Sequence, residues 1–328
     1  MKVMDNISLR PYNTFGIDVQ ARRMVELERV EEVEHLAEVV KGEMLMVGCG
    51  SDIVFTRDYA GTVVRFASGG EVEEQDGLLW VPAGMVLDDF VQWTVVAGWY
   101  GVENLSGIPG TAGAGAVQNV GAYGVEAKDV VEAVEAYDLR ERCYRHFDNG
   151  GCRFGYRDSL FKRSAGRYVV MRVAFRLKRH YEPCLGYAAL STKPHATARQ
   201  LRESVLEVRW SKLPKPEEYG SAGSFFKNPV VGKAEHERLK RAWPDMPDGH
   251  AVGAGAETQY KLSAGWLIDK AGWKGKTMGR AGVWPRQALV LYNAGGCTGE
   301  EVVALAEAIQ EDVERKFGVR LEPEAVMV

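Results

Sequence analysis

No run of apolar residues in this 328-residue chain is long enough to cross a bilayer. The first residues, Met-Lys-Val-Met-Asp-Asn-Ile-Ser, also lack the apolar core of a secretion signal, so a cytoplasmic protein without membrane insertion is expected. Cysteine is sparse: Cys49, Cys143, Cys152, Cys184 and Cys297 are odd in number and nowhere spaced as Cys-x-x-Cys. That argues against a disulfide framework and a zinc site, and fits free thiols in a reducing compartment. Positive charge is not in excess either. A net charge of −4 gives no basic field for nucleic acid or an anionic membrane, so an anionic ligand has to be held by local cations. Two of the six histidines, His236 and His250, lie late in the chain and form no metal-ligand or acid–base spacing, so no metal is expected. A Gly-x-Ser-x-Gly hydrolase elbow is absent as well.

In bulk the composition is that of a soluble globular protein, 46% apolar and 26% charged. The length exceeds the usual size of one hydrophobic core and implies two or three domains. Glycine is unevenly spent. Residues 107–124, Gly-Ile-Pro-Gly-Thr-Ala-Gly-Ala-Gly-Ala-Val-Gln-Asn-Val-Gly-Ala-Tyr-Gly, hold six glycines in eighteen positions and no charged side chain. Such a segment is neither an ordinary amphipathic helix nor a half-buried strand; it presents main chain. Glycine lets N–H groups approach a ligand, with Thr111, Gln118 and Asn119 adding side-chain hydrogen bonds, which suits a large, partly anionic cofactor. The plainer alternative is a Gly/Ala packing loop between sheets.

Earlier in the chain, Gly48-Cys49-Gly50-Ser51-Asp52 follows a short apolar strand at 44–47 and offers donors to a pyrophosphate. It is not a Rossmann fingerprint: Ile53 replaces the third glycine and no helical pattern follows. Likewise Gly275-Lys276-Thr277 ends like a phosphate loop, but Lys270 stands where its first glycine belongs.

Periodicity places a helix at 30–40 with Gly42 as its stop, strands at 62–66 and 78–82, and a helix at 88–97 burying Leu87, Phe90, Val91, Thr94 and Val95. Strands are expected at 130–137 and at 168–177, where Val169, Met171, Val173, Phe175 and Leu177 alternate with Arg172 and Arg176. Thr197 and Gln200 open a helix as a capping box, an apolar helix is read over 261–269, and a strand over 288–293. The last helix is the clearest, with Thr298 and Glu301 as capping box, Val302, Leu305, Ala306, Ile309 and Val313 on one face, and Gly318 at its end. Strands and helices without βαβ alternation imply an α+β protein rather than a doubly wound sheet.

Gly-Ile-Pro-Gly-Thr at 107–111 with Val-Gln-Asn-Val-Gly-Ala-Tyr-Gly at 117–124 resembles the flavin-binding signature of the UDP-N-acetylenolpyruvylglucosamine reductases, enzymes of peptidoglycan synthesis. Further motifs resemble that family in order along the chain. They are Asn13-Thr14-Phe15, the Gly48 to Asp52 turn with Asp52 in place of the family's Asn, and Tyr156-Arg157-Asp158-Ser159. Later come Tyr187-Ala188-Ala189-Leu190 against a Tyr-Gly-x-Leu loop, Gly223-Ser224-Phe225-Phe226-Lys227-Asn228-Pro229, Lys261 to Asp269, and Gln287-Ala288-Leu289-Val290. The family's usual His before that last string is replaced by Trp284-Pro285-Arg286.

The resemblance implies an α+β fold whose two-part FAD-binding region, of the PCMH/VAO-like type, covers residues 1–64 and 65–208, followed by a smaller α+β substrate-binding domain at 209–328. It implies bound FAD, NADPH as reductant, and a UDP-sugar enolpyruvyl ether reduced to UDP-N-acetylmuramate by a cytoplasmic monomer. Gly48, Gly50, Ser51, Asp52, Gly110, Thr111, Asn119, Gly121, Ala122 and Tyr123 are implied at the flavin, and Tyr187, Lys212, Asn228 and Gln287 at the substrate. Ser224 is implied as the acid, Arg157 as the anion clamp, and Glu324, in register ahead of Glu322, as the catalytic carboxyl.

Overall fold

Residues 1–67, 70–164, 166–252 and 258–328 are described by the structure, a computed structural model. They cluster into two units, one of Met1–Ser8, Gln20–Gly50 and Asp58–Trp210, the other of Leu9–Val19, Ser51–Arg57 and Ser211–Val328. Both mix helices with strands, as the α+β reading requires.

In the first unit the strand Tyr168–Phe175 is the centre of an antiparallel sheet ordered Cys143–Asp148, Val131–Asp138, Tyr168–Phe175, Leu78–Pro82, Glu73–Gln75. Its alternating apolar residues do not share one face. Glu135 pairs with Arg172 and Ala136 with Val170, so Met171 is bulged out of the ladder. A one-residue slip exchanges faces: Val173 and Phe175 join the core with Leu79 and Phe90, while Val169 and Met171 pack with Leu27 and Val64. Leu27 and Val64 belong to a second sheet ordered Lys2–Ser8, Gln20–Leu27, Tyr59–Phe66, Met44–Met46, parallel except at its first pair. The helix Leu87–Ala97 buries Leu87, Phe90, Val91 and Thr94, with Val95 half-buried. Residues 30–40 form only a 3₁₀ turn, Val30–His35, and one α turn, Leu36–Val39. Four valines there favour extended backbone, and burial of Val33 and Leu36 preserves the expected spacing without a full helix.

The second unit is built on an antiparallel sheet ordered Ser221–Ser224, Val290–Asn293, Ala281–Val283, Thr277–Met278. A smaller sheet has Gln259–Lys261 between Val230–Gly232 and His250–Val252. Lys261 is thus held in a strand, and the helix read over 261–269 begins only at Ala264, capped by Ser263. The helix Gly299–Phe317 has the expected capping box, buried face and Gly318 stop. Asn-Thr-Phe, which carries no fold signal in the sequence, is a strap. The Asn13 side chain closes its own loop on Leu9 and Ile17, Thr14 Oγ1 donates to the Ser221 carbonyl at 2.6 Å, and Asn293 Nδ2 donates to the Phe15 carbonyl at 3.0 Å. Among the described residues no helix is long and apolar enough to cross a membrane.

An ion pair between buried Asp138 and half-buried Arg167 gives the first unit a pH signature. Asp138, at the end of Val131–Asp138, accepts from Arg167 Nε and Nη2 at 3.0 and 2.6 Å, and from the N–H groups of Arg140 and Glu141 at 3.1 and 3.2 Å. The Arg167 hydrogen bonds outweigh burial and lower its pKa from 3.8 to about 2. A depressed carboxylate contributes stability above its unfolded pKa and loses it as pH falls towards the folded one, here about 2 kcal/mol. Asp138→Asn is therefore expected to lower the urea-derived stability by about that amount at pH 7, with the gap to wild type closing below pH 4. A gap as wide at pH 3 as at pH 7 would contradict it.

Candidate active site

The glycine-rich segment contains regular structure that its composition conceals. Ala112–Gln118 is a short helix and Gly121–Ala122 pairs with Val125–Glu126. Thr111 starts the helix, its Oγ1 accepting from the Ala114 N–H at 3.3 Å. Ala112, Gly113, Gly115 and Ala116 are buried, small enough for the helix to lie against the sheet, where the N–H groups of Ala112 and Gly113 donate to the Met85 and Ala83 carbonyls. The packing reading is therefore realised over residues 112–116. Gly48 sits against this helix start: a Cβ there would lie 2.9 Å from Thr111 Oγ1 and 3.1 Å from the Ala114 methyl. This joins Gly48, Gly50, Gly110 and Thr111 around one piece of backbone; Ser51 and Asp52 continue the turn into the second unit, where the Asp52 carbonyl accepts from Val326.

Asn119 ends the helix at a left-handed φ of 45° and is fully buried. Its Nδ2 donates to the Gly155 carbonyl at 2.7 Å and its Oδ1 accepts from the Lys128 N–H at 2.9 Å. The side chain is thus spent within the protein, and Asn119 serves the loop by position. Gly121 offers its carbonyl to Arg157 Nη2 at 2.9 Å, which brings the expected anion clamp to the expected flavin loop. Tyr123, at φ 50°, gives its carbonyl to Asn104 Nδ2 at 2.7 Å and meets Tyr187 edge-on with ring centroids 5.0 Å apart.

Residues absent from the sequence reading hold this region. Asp88 Oδ1 accepts from the Gly107 N–H at 2.6 Å and from Arg202 Nη1 at 2.5 Å. Burial pushes the Asp88 carboxyl up, and Arg202, the Gly107 N–H and Arg209 more than reverse it, leaving the pKa below the ordinary value. Arg209 is itself held below the usual guanidinium range by burial, against the pull of Tyr123 and Asp88. Burial in turn raises the Tyr123 phenol, with Arg209 opposing. An acidic residue in a helix's first turn and an arginine beside a recognised motif are the only signals the sequence carries for these groups.

In the second unit Ser224 ends an edge strand and is exposed. The register slips between Ser221 and Ser224, and Gly223 takes up the slip at φ 68°, which a side-chain-bearing residue there resists. Beyond Ser224 the chain pairs with the C-terminal segment: the Glu324 N–H donates to the Phe225 carbonyl at 2.8 Å, Phe226 bridges Pro323, and the Lys227 N–H donates to the Glu322 carbonyl at 2.9 Å. Glu322 is 74% exposed and ion-paired to Lys227, whereas Glu324 is half-buried. Asn228 Oδ1 accepts from the Ala264 N–H at 3.0 Å, and Gln287 Oε1 lies over Gly265, so both amides converge on the start of Ala264–Lys270. Lys212 closes the helix Ala198–Lys212 and is half-buried.

Because Gly48 has no room for a methyl, Gly48→Ala is expected to separate the turn from Thr111 and weaken FAD binding by at least about 10-fold, with the far-ultraviolet circular dichroism unchanged. Titration of the flavin-stripped protein with FAD, followed by flavin fluorescence, measures it; unaltered affinity would remove the turn from the flavin site.

Comparison with known proteins agrees with the sequence motifs. A family profile described as "FAD binding domain" matches residues 21–144, and one described as "UDP-N-acetylenolpyruvoylglucosamine reductase, C-terminal domain" matches residues 215–328. The UDP-N-acetylenolpyruvoylglucosamine reductase of Pseudomonas aeruginosa is 45% identical, covering 99% of this chain and 98% of its own. That of Azoarcus sp. is 44% identical over 100% of this chain and 98% of its own. The crystal structure of the Thermus caldophilus reductase (MurB) superimposes with a TM-score of 0.72 at 26% identity, covering 100% of this chain and 99% of the other. With relatives this similar along its whole length, and with the glycine-rich loop, the Tyr156-Arg157 turn and the Ser224 strand all in place, the chain belongs to the UDP-N-acetylenolpyruvoylglucosamine reductase family.

Proposed function

We propose that Ser224, Arg157 and Glu324 carry the substrate half of this reductase's reaction. The enzyme reduces the enolpyruvyl ether of UDP-N-acetylglucosamine to UDP-N-acetylmuramate with NADPH as reductant. Bound FAD would supply hydride transfer from NADPH to C3 of the enolpyruvyl group. Negative charge then develops on C2 and its carboxylate. A guanidinium stays charged and meets a carboxylate in fork geometry, which suits Arg157 to that charge; Glu324 is assigned with it as the catalytic carboxyl. Ser224 Oγ–H gives C2 its proton, so the double bond gains one hydride and one proton.

The observation that carries this reading is the pairing of residues 225–227 with 322–324. It sets Glu324 across from the residue after Ser224 and diverts Glu322 to Lys227 and solvent. FAD fits a loop whose eighteen residues include no acidic side chain. Gly48, Gly50, Ser51, Asp52, Gly110, Thr111, Gly121, Ala122 and Tyr123 would hold it, with Asn119 fixing the loop. Lys212 and Asn228 are assigned to the UDP portion of the substrate, and Tyr187 and Gln287 to other substrate-side positions. Residues 1–64 and 65–208 are read as the two parts of the FAD-binding region and 209–328 as the substrate domain. We read the enzyme as a cytoplasmic monomer without nucleic-acid partners, which its net charge of −4 supports.

Ser224→Ala is expected to leave reduction of the flavin by NADPH nearly intact and to slow reoxidation by the enolpyruvyl substrate at least about 10²-fold, the lower range for a positioned acid. Stopped-flow absorbance of the two half-reactions tests it. Equal loss in both, or in neither, removes Ser224 from the acid role.

A further inference from the structure

Arg157 occupies a strained position: its φ is 54°, in the left-handed region where a long side chain is disfavoured. It sits with Tyr156 in a tight turn closed by mutual hydrogen bonds between Gly155 and Asp158, at 2.9 and 3.2 Å. Three neighbours fasten that turn to the glycine-rich segment. Asn119 holds the Gly155 carbonyl. Ser159, fully buried, donates from Oγ to the Val117 carbonyl at 2.6 Å and caps Leu160–Arg163 by accepting from the Lys162 N–H. Lys162 joins both sides with one ammonium, donating to Gln118 Oε1 at 2.5 Å and to the Arg157 carbonyl at 3.1 Å. Asn119 and Ser159 grip the turn's flanks, whereas Lys162 grips the strained peptide itself.

We propose that Lys162 is a positioning residue for substrate reduction: by tying the Arg157 carbonyl to the end of Ala112–Gln118 it fixes the left-handed turn, and through it the guanidinium that meets the Gly121 carbonyl. The proposal rests on the reading of Arg157 as the clamp on the developing anion. Without the ammonium the turn relaxes towards ordinary backbone and the guanidinium swings from its place, while the flavin loop keeps its other anchors. The loss then falls on the step where charge develops, because misplacing a stabilising group by about 1 Å costs on the order of 10²-fold.

The test is a double-mutant cycle on the full-length, FAD-loaded enzyme with NADPH and the enolpyruvyl UDP-sugar, followed by stopped flow. Lys162→Met is expected to slow reoxidation of the reduced flavin by substrate about 10- to 10²-fold, with the NADPH half-reaction and the flavin spectrum unchanged. In an Arg157→Ala background the same change is expected to cost less than about two-fold, since the group it positions is already gone. Multiplying losses, or equal slowing of both half-reactions by Lys162→Met, overturn the proposal. Arg157→Ala that leaves substrate reduction untouched overturns the anion-clamp reading instead, and Lys162 loses its role with it. Should Lys162→Met fail to retain flavin, Lys162→Gln, which keeps one donor without the charge, takes its place in the cycle with about a 10-fold loss expected.

Discussion

A loop that presents bare main chain cannot hold itself still. Residues 107–124 have few side chains with which to pack, and glycine makes their unfolded alternatives numerous. Their position is imposed by polar side chains that bond to their backbone, Asp88 at the Gly107 N–H, Asn104 at the Tyr123 carbonyl and Ser159 at the Val117 carbonyl, and by the loop's own Asn119, which donates to the Gly155 carbonyl outside it. Asn104, Asn119 and Ser159 are almost wholly buried, so each bond is formed away from competing water and leaving it unmade is costly. The loop's shape is therefore a property of its frame.

That frame is charged where it has to be. Asp88, Arg202 and Arg209 gather at the start of the loop, and the carboxylate there stays ionised despite burial because of Arg202 and its other donors. Elsewhere in the same unit Glu103 is pushed upward by burial, and one of its carboxyl oxygens has no hydrogen-bond partner among the described residues. The contrast shows what a guanidinium neighbour accomplishes. A chain of net negative charge creates local positive character by pairing some arginines incompletely, as the buried and unpartnered Nε of Arg209 illustrates.

What the sequence revealed was local. The helix Gly299–Phe317 was fully legible because cap, face and stop lie within its own residues. The glycine-rich segment was legible as a main-chain surface but not as a helix, since the contacts that make Ala112–Gln118 helical come from Met85 and Ala83. The bulge at Met171 escaped for a similar reason: period-two alternation is blind to a skipped partner on the neighbouring strand. Asn13-Thr14-Phe15 carried no fold signal until its partners, some 200 residues away, were in place. The site residues named from the sequence came from family motifs, whereas Asp88, Asn104, Lys162 and Arg209 act through contacts that no short string encodes.

The same distinction separates two kinds of functional residue. Contacts that backbone would make to a flavin can be altered only by changing the shape of the chain, so a substitution at such a position would affect everything the flavin does. Under the proposed roles, Arg157, Ser224 and Glu324 would instead act through side chains on a charge that exists only while the substrate is being reduced, so their removal would leave reduction of the flavin by NADPH in place. The strained turn at Arg157 joins the two classes, because there a side chain's reach is set by backbone that the glycine-rich segment holds in place. Strain of this kind persists only where surrounding bonds over-determine it. At this turn they converge from Gln118, Asn119 and Val117, so the end of the glycine-rich segment also fixes the backbone that carries Arg157, the group proposed to meet the developing anion.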